Sequence, residues 1–259
     1  MSATELRRRI EWNVILLATM NVPLLAQWNF ATPGVPRDPK GKPVMTAPAP
    51  RRGDQPDLSG IWLADEPKGL DLTAGLKPGE VEMTPWAQTL FEQRRRGEHD
   101  AENPEVNCLP QGVPKINSMP PPFKILQEPN AMVFLYEMYS QFRQVFLDGR
   151  PLPKEPNPQW NGYSTARWEG ATLVVESSGF NGKAWLDYAG HPATESLRVV
   201  ERFYRRDFGH MDVTATITDS GAYTRPWSYT QPLKLVVDDE LMEGFCENEK
   251  DAEHVRARK

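Results

Sequence analysis

From residue 131 onward, apolar and polar positions alternate with a period of two, the rhythm of antiparallel strands with one wet face. In 210–218, Met211, Val213, Ala215 and Ile217 take one side, and Asp212, Thr214, Thr216 and Thr218 take the other. The same reading predicts strands at 131–138, 141–147, 163–168, 172–177, 197–206, 227–237 (interrupted by Pro232) and 241–246. Segments 58–63 and 123–127 add two at the front. Asp148-Gly149, Glu169-Gly170-Ala171 and Asp207-Phe208-Gly209 supply turns. One segment, 85–96, carries a helical period. Thr84 caps it, Pro85 suits the first turn, Ala87, Leu90 and Phe91 make the stripe, and Gly97 stops it. Arg94, Arg95 and Arg96 then sit at the negative end of its dipole. Eight to ten short strands and one short helix predict an all-β fold. A mostly antiparallel β-barrel is favoured over a sandwich, because closure removes the edge strands.

Composition narrows this picture. Hydrophobic residues make up 39 % of the 259, enough for a core, and the net charge of −5 speaks against a nucleic-acid partner. Most of the 25 prolines cluster in 28–57, 104–129 and 151–158. The first cluster predicts an extended arm at 27–57, the others ordered loops around the body at 58–259. Arg7, Arg8 and Arg9 precede an apolar run from Val14 to Leu25, the order of a signal peptide over residues 1–26. About a dozen apolar residues is too short for the roughly 20 that span a bilayer, so a periplasmic or secreted protein is expected, with a retained membrane anchor as the weaker alternative. In that setting Cys108 and Cys246 can form a disulfide worth roughly 3–5 kcal/mol, with two buried thiols as the alternative.

Gly60-Ile61-Trp62 on the first strand is similar to the opening of lipocalin-type barrels, in which the indole plugs the closed end, and this makes the expected barrel lipocalin-like. The chain also resembles a set of exported bacterial proteins of uncharacterised activity. The shared stretches include Pro56-Asp57-Leu58-Ser59-Gly60-Ile61-Trp62, Cys108-Leu109-Pro110-Gln111-Gly112-Val113-Pro114, Trp168-Glu169-Gly170 with Thr172-Leu173-Val174-Val175-Glu176, Gly179-Phe180-Asn181, Trp185-Leu186-Asp187 and Glu201-Arg202-Phe203. That resemblance implies export but no reaction. After Gly190-His191-Pro192, where the set often carries a histidine, this chain has Ala193.

Candidate chemistry follows from placement. Glu201 shares a strand face with Leu197, Val199 and Phe203, so it points with the core set and needs a partner. Arg143, on the face of Val145 and Leu147, can be that partner. Glu137, beside Val133 and Leu135, poses the same question. The loop Trp185-Leu186-Asp187-Tyr188-Ala189-Gly190-His191 gathers an indole, a carboxylate, a phenol and an imidazole, and Asp187 can orient His191 as a general base. The leading expectation is an aromatic-lined cavity in the barrel for a small apolar or aromatic molecule, drawing on Trp168, Trp185, Tyr188, Arg143 and His210. Competing readings are an enzyme (lyase, isomerase or hydrolase) using Asp187, His191 and Glu201, and an accessory subunit whose arm wraps a partner protein. The scattered histidines predict no metal site and no cofactor. Gly162-Tyr163-Ser164-Thr165-Ala166 lacks the strand-to-helix context of a serine nucleophile.

Overall fold

The computed structural model describes residues 31–246; the expected signal peptide at 1–26 lies outside the described residues. Among the described residues, eleven strands occur in chain order. β1 (Arg51–Arg52) and β2 (Gln55–Pro56) form a small separate ladder. The other nine are β3 (Gly60–Ala64), β4 (Phe123–Gln127), β5 (Ala131–Tyr136), β6 (Phe142–Phe146), β7 (Tyr163–Glu169), β8 (Thr172–Ser178), β9 (Arg198–Arg205), β10 (His210–Thr218) and β11 (Trp227–Val236). They close into one barrel in which each strand pairs with its neighbours in sequence and β11 returns to β3.

Nine is an odd number, so directions cannot alternate all the way round a closed ring. One neighbouring pair must run parallel. That pair is β6–β7, registered only at Val145↔Ser164 and Phe146↔Thr165. The segment between them, with Pro151, Pro153, Pro156 and Pro158, is the crossover that a parallel junction requires. Odd parity and this seam set the barrel apart from an eight-stranded lipocalin.

Helix α1 spans Pro85–Arg95, with the Thr84 side chain accepting from the Ala87 N–H as expected. β11 runs unbroken through Pro232. The Pro232 carbonyl accepts from Asp65 N at 2.8 Å, so the side lacking an N–H faces the same neighbour, just beyond the last residue of β3. No ladder bond is lost there. The strand expected at 241–246 does not form. The barrel is already closed, so no free edge exists, and 237–246 is an irregular tail. Within it, Cys246 is bonded to Cys108 with a Cα–Cα separation of 5.5 Å.

Both mouths are stoppered by the chain itself. At one end the arm folds back on its own barrel: Phe208 N donates to Ala47 O and Gly209 N to Met45 O, each at 2.7 Å, and Arg37 pairs with Asp238. At the other end, residues 110–119 enter the ring and bury Ile116, Asn117 and Ser118. The hollow expected between these stoppers is filled. Ile125, Met132, Phe134, Val145, Val199 and Phe203 are all 0 % exposed, and the Phe134 and Phe203 ring centroids are 5.7 Å apart. Packing of this kind leaves no room for a guest around these side chains, so the aromatic-lined cavity expected within the ring is not seen among the described residues. Small-molecule-sized spaces lie on its outside.

Candidate functional site

Three places combine polar chemistry with position. The first is the loop after β8. Asp187 is fully buried, and its carboxylate accepts four bonds: Oδ1 from Gly190 N (3.0 Å) and His191 N (3.1 Å), Oδ2 from Leu72 N (3.0 Å) and His191 Nδ1 (2.6 Å). All four acceptor positions are thus occupied. The dyad foreseen from the loop is real, and it fixes the imidazole so that Nε2 is the nitrogen left over. That ring is 3 % exposed, stacked against Phe91 of α1 at 4.3 Å and flanked by Trp227 at 6.5 Å. Its two neighbours on the ring faces are thus aromatic side chains. Asp71, Asp187 and His191 offer ligand-type atoms within 4.8 Å of one another. A metal there would have to take lone pairs from Asp187 that now hold Leu72, Gly190 and the imidazole, so the group fits a hydrogen-bonded knot better than a coordination site.

Around the knot, Arg94 stacks on Trp185 at 4.3 Å and donates to Gly190 O at 3.2 Å, a role the dipole argument did not foresee. Burial pulls its pKa down to about 10. Lys115 pairs with Glu105 in the interior, and burial pulls its pKa below the usual lysine value. Tyr188 donates to Glu105 while its ring lies 4.0 Å from Lys115 Nζ. The charges of the mouth are therefore consumed in holding its loops.

The second place is the layer beneath the parallel seam. Arg143 (β6) donates to Ser164 Oγ (β7, 3.2 Å), Ser177 Oγ (β8, 2.9 Å) and Glu201 Oε2 (β9, 2.6 Å), and so spans four consecutive strands under the weakest junction of the ring. Glu201 also accepts from Asn117 Nδ2 at 2.6 Å, and Asn117 Oδ1 accepts from Tyr136 OH at 2.9 Å. The ion pair anticipated from strand alternation is present. Glu137 is different: it follows β5 on the outer side, and its carboxylate accepts from Met242 N at 3.1 Å. No hydrogen bond joins Glu201 to Asp187 or His191 among the described residues, so the three groups assigned to catalysis form two knots.

The third place lies directly outside the seam, where β6 and β7 diverge. A pocket of about 530 Å³ opens there, lined by Phe142, Phe146, Trp160 and Tyr163 together with Gln141, Arg143 and Asn161. Phe142 is 64 % exposed, unusual for so large an apolar side chain. Three lining residues carry a buried polar atom with no protein partner: Gln141 Oε1, Arg143 Nη1 and Asn161 Oδ1. Gln111, next to the lining residue Pro110, has both amide atoms in the same condition. These atoms lie beneath the pocket surface, where each buried polar group without a partner costs about 1–3 kcal/mol. At the mouth, Arg94 Nε and Trp227 Nε1 are alike unpartnered, but their aromatic and cationic surfaces are already stacked.

A larger space of about 820 Å³ lies at the opposite end, between the arm and the edge of β3 and β4. Its buried cation, Arg205, has its donors committed to the carbonyls of Asp57, Asp207 and Phe208, and its guanidinium stacks on Trp62 at 4.9 Å. Ser59 Oγ is the unpartnered polar atom among its lining residues.

The residues expected to bind a ligand are thus dispersed. Trp185 and Tyr188 belong to the mouth and Arg143 to the seam. Half-buried Trp168 and His210, whose Nδ1 bonds Asp207 at 2.7 Å, lie at the far end. His210 is separated from Ile217, beside the mouth, by roughly 23 Å of extended strand. Only Arg143 lines the seam pocket; Gln141, Phe142, Trp160, Asn161 and Tyr163 were missed. The available signal was parity, because a long proline-rich connection between two strands marks a parallel crossover beside which a wedge must open. Comparison of the chain with family models, curated proteins and solved structures finds no match.

Proposed function

We propose that this is an exported β-barrel protein that binds a small ring-bearing molecule in the pocket at the β6–β7 seam. The observation that carries the reading is an aromatic wall, including the exposed ring of Phe142, set beside the amides of Gln141, Gln144, Gln159 and Asn161 in one pocket. The volume lies within the roughly 300–1,000 Å³ of small-ligand sites, and a mostly apolar lining with a few directed polar groups is their usual make-up. The parallel junction supplies rigidity, since Arg143 is fixed from three sides. Export is supported by the arginine-led apolar segment before residue 27 and by the Cys108–Cys246 bond. No helix among the described residues is long and apolar enough to cross a membrane.

The test is a thermal-shift and tryptophan-fluorescence screen of small ring compounds, including indole, benzoate, cyclohexanol and glucose, on the wild type and on Phe142→Ala and Trp160→Ala. A binder present at 100 times its Kd stabilises the fold by about 2.7 kcal/mol. We expect such a shift in the wild type and its loss in both variants. Hits indifferent to both substitutions would remove the site from the seam.

A further inference from the structure

The chemistry of the seam pocket specifies its ligand more closely, on the premise that the pocket is the binding site. We infer that the ligand is a neutral saccharide. Three observations converge on this class.

The first is charge. Arg143 is the charged residue of the lining, and its charge is balanced from beneath by Glu201 at 2.6 Å. Among the described residues no carboxylate and no lysine lines the pocket. An anionic ligand would meet a cation already neutralised, and a cationic ligand would meet no counter-charge.

The second is the balance of donors and acceptors. Gln141, Gln144, Gln159 and Asn161 bring four primary amides to one pocket. Each amide both donates and accepts. A ligand that satisfies them must offer donors and acceptors side by side, as vicinal hydroxyls on a sugar ring do. A flat hydrocarbon would fill the volume and leave every one of these groups dry and unpaired.

The third is the wall. The Phe142, Phe146, Trp160 and Tyr163 rings come from β6, β7 and the crossover, and the Phe146 and Tyr163 centroids are 5.3 Å apart with their planes at 27°. Arg150 covers Phe146 at 4.0 Å, while Phe142 remains exposed. An exposed ring beside amides presents a negative π-face to a ligand's C–H edge. A pyranose has one such apolar face and a rim of hydroxyls, matching wall and amides at once.

The experiment uses the full-length mature protein on an array of neutral mono- and oligosaccharides, with hits measured by calorimetry against indole and benzoate as aromatic probes. The expected result is saturable binding of at least one neutral sugar. Asn161→Ala and Trp160→Ala should each weaken it at least tenfold without moving the melting temperature, and binding should change little between low and high salt. Seam-dependent binding of indole or benzoate with no sugar bound overturns the saccharide assignment and leaves the site standing. Absence of binding by either class, in protein shown to be folded, overturns both.

Discussion

Two buried polar knots hold this barrel, and they differ in what they leave over. At the mouth, the Asp187 carboxylate has all four acceptor positions filled, three by backbone N–H groups and one by His191. Under the seam, Arg143 and Glu201 are buried as deeply, at 2 % and 0 % exposure, yet one guanidinium nitrogen has no protein partner. Burial and close charge are common to both. What lies over them differs: the seam is overlain by a pocket with aromatic and amide walls, whereas the mouth's imidazole is covered by Phe91 of α1. The lesson bears on the imidazole–carboxylate pair, which invites a catalytic reading from sequence. His191 lies under Phe91, with its orienting carboxylate spent on the loop.

The comparison breaks most forcefully at Glu201. Glu201→Gln leaves Arg143 charged and buried with no counter-ion, and the expected cost is about 3–5 kcal/mol in urea unfolding. Replacing both members, Arg143→Leu with Glu201→Leu, should return most of that loss while abolishing ligand binding. A double variant no more stable than Glu201→Gln would show that the layer closes the seam by its hydrogen bonds and not by charge balance.

Asp187→Asn is the matching change at the mouth and should cost less, about 2–3 kcal/mol, because the position keeps its shape while charge-assisted bonds to Leu72, Gly190 and His191 weaken. Its second readout sharpens the contrast: affinity for a seam ligand should stay within twofold of wild type. A large loss of affinity with unchanged stability would mean that the mouth, not the seam, is the site.

How far these knots could be read from the chain depends on the distance over which each is assembled. Period-two alternation placed Glu201 and Arg143 on inward faces, and their pairing followed from the cost of an unpaired core charge. Asp187 and His191, four residues apart, were visible as a pair. The roof over His191 was not, because Phe91 reaches it from a helix 100 positions earlier. The seam was hidden for a different reason. Each strand was legible, but parity is a property of the closed ring, and 241–246 was counted as a strand although closure leaves no edge for it. Likewise the spare nitrogen of Arg143 depends on which of Ser164, Ser177 and Glu201 it meets, a count made in space. The stacking of Arg94 on Trp185 was lost to a sufficient local explanation at the helix end.

Alkaline pH gives the finest comparison between the knots. Tyr136 bonds Asn117 under the seam, and Tyr223 donates to Pro192 O at 3.0 Å beside the mouth. Burial pushes both phenols well above the ordinary value of 10. A raised folded-state pKa means that above pH 10 the unfolded chain releases a proton that the native state keeps, so each tyrosine contributes stability that is whole below pH 10 and is lost as pH rises, by about 1.4 kcal/mol per pH unit. Arg94 and Arg205, held down to about 10 by burial, act with the opposite sign from there up to their ordinary 12.5. The wild-type curve is therefore shallow, and the information lies in differences. Urea unfolding at pH 9, 10 and 11 should show Tyr136→Phe and Tyr223→Phe each gaining on the wild type by that slope above pH 10. Equal slopes place both hydroxyls in dry protein. If Tyr136→Phe gains nothing while Tyr223→Phe does, water reaches the Asn117–Tyr136 pair, and the seam pocket extends through the wall into the layer beneath it.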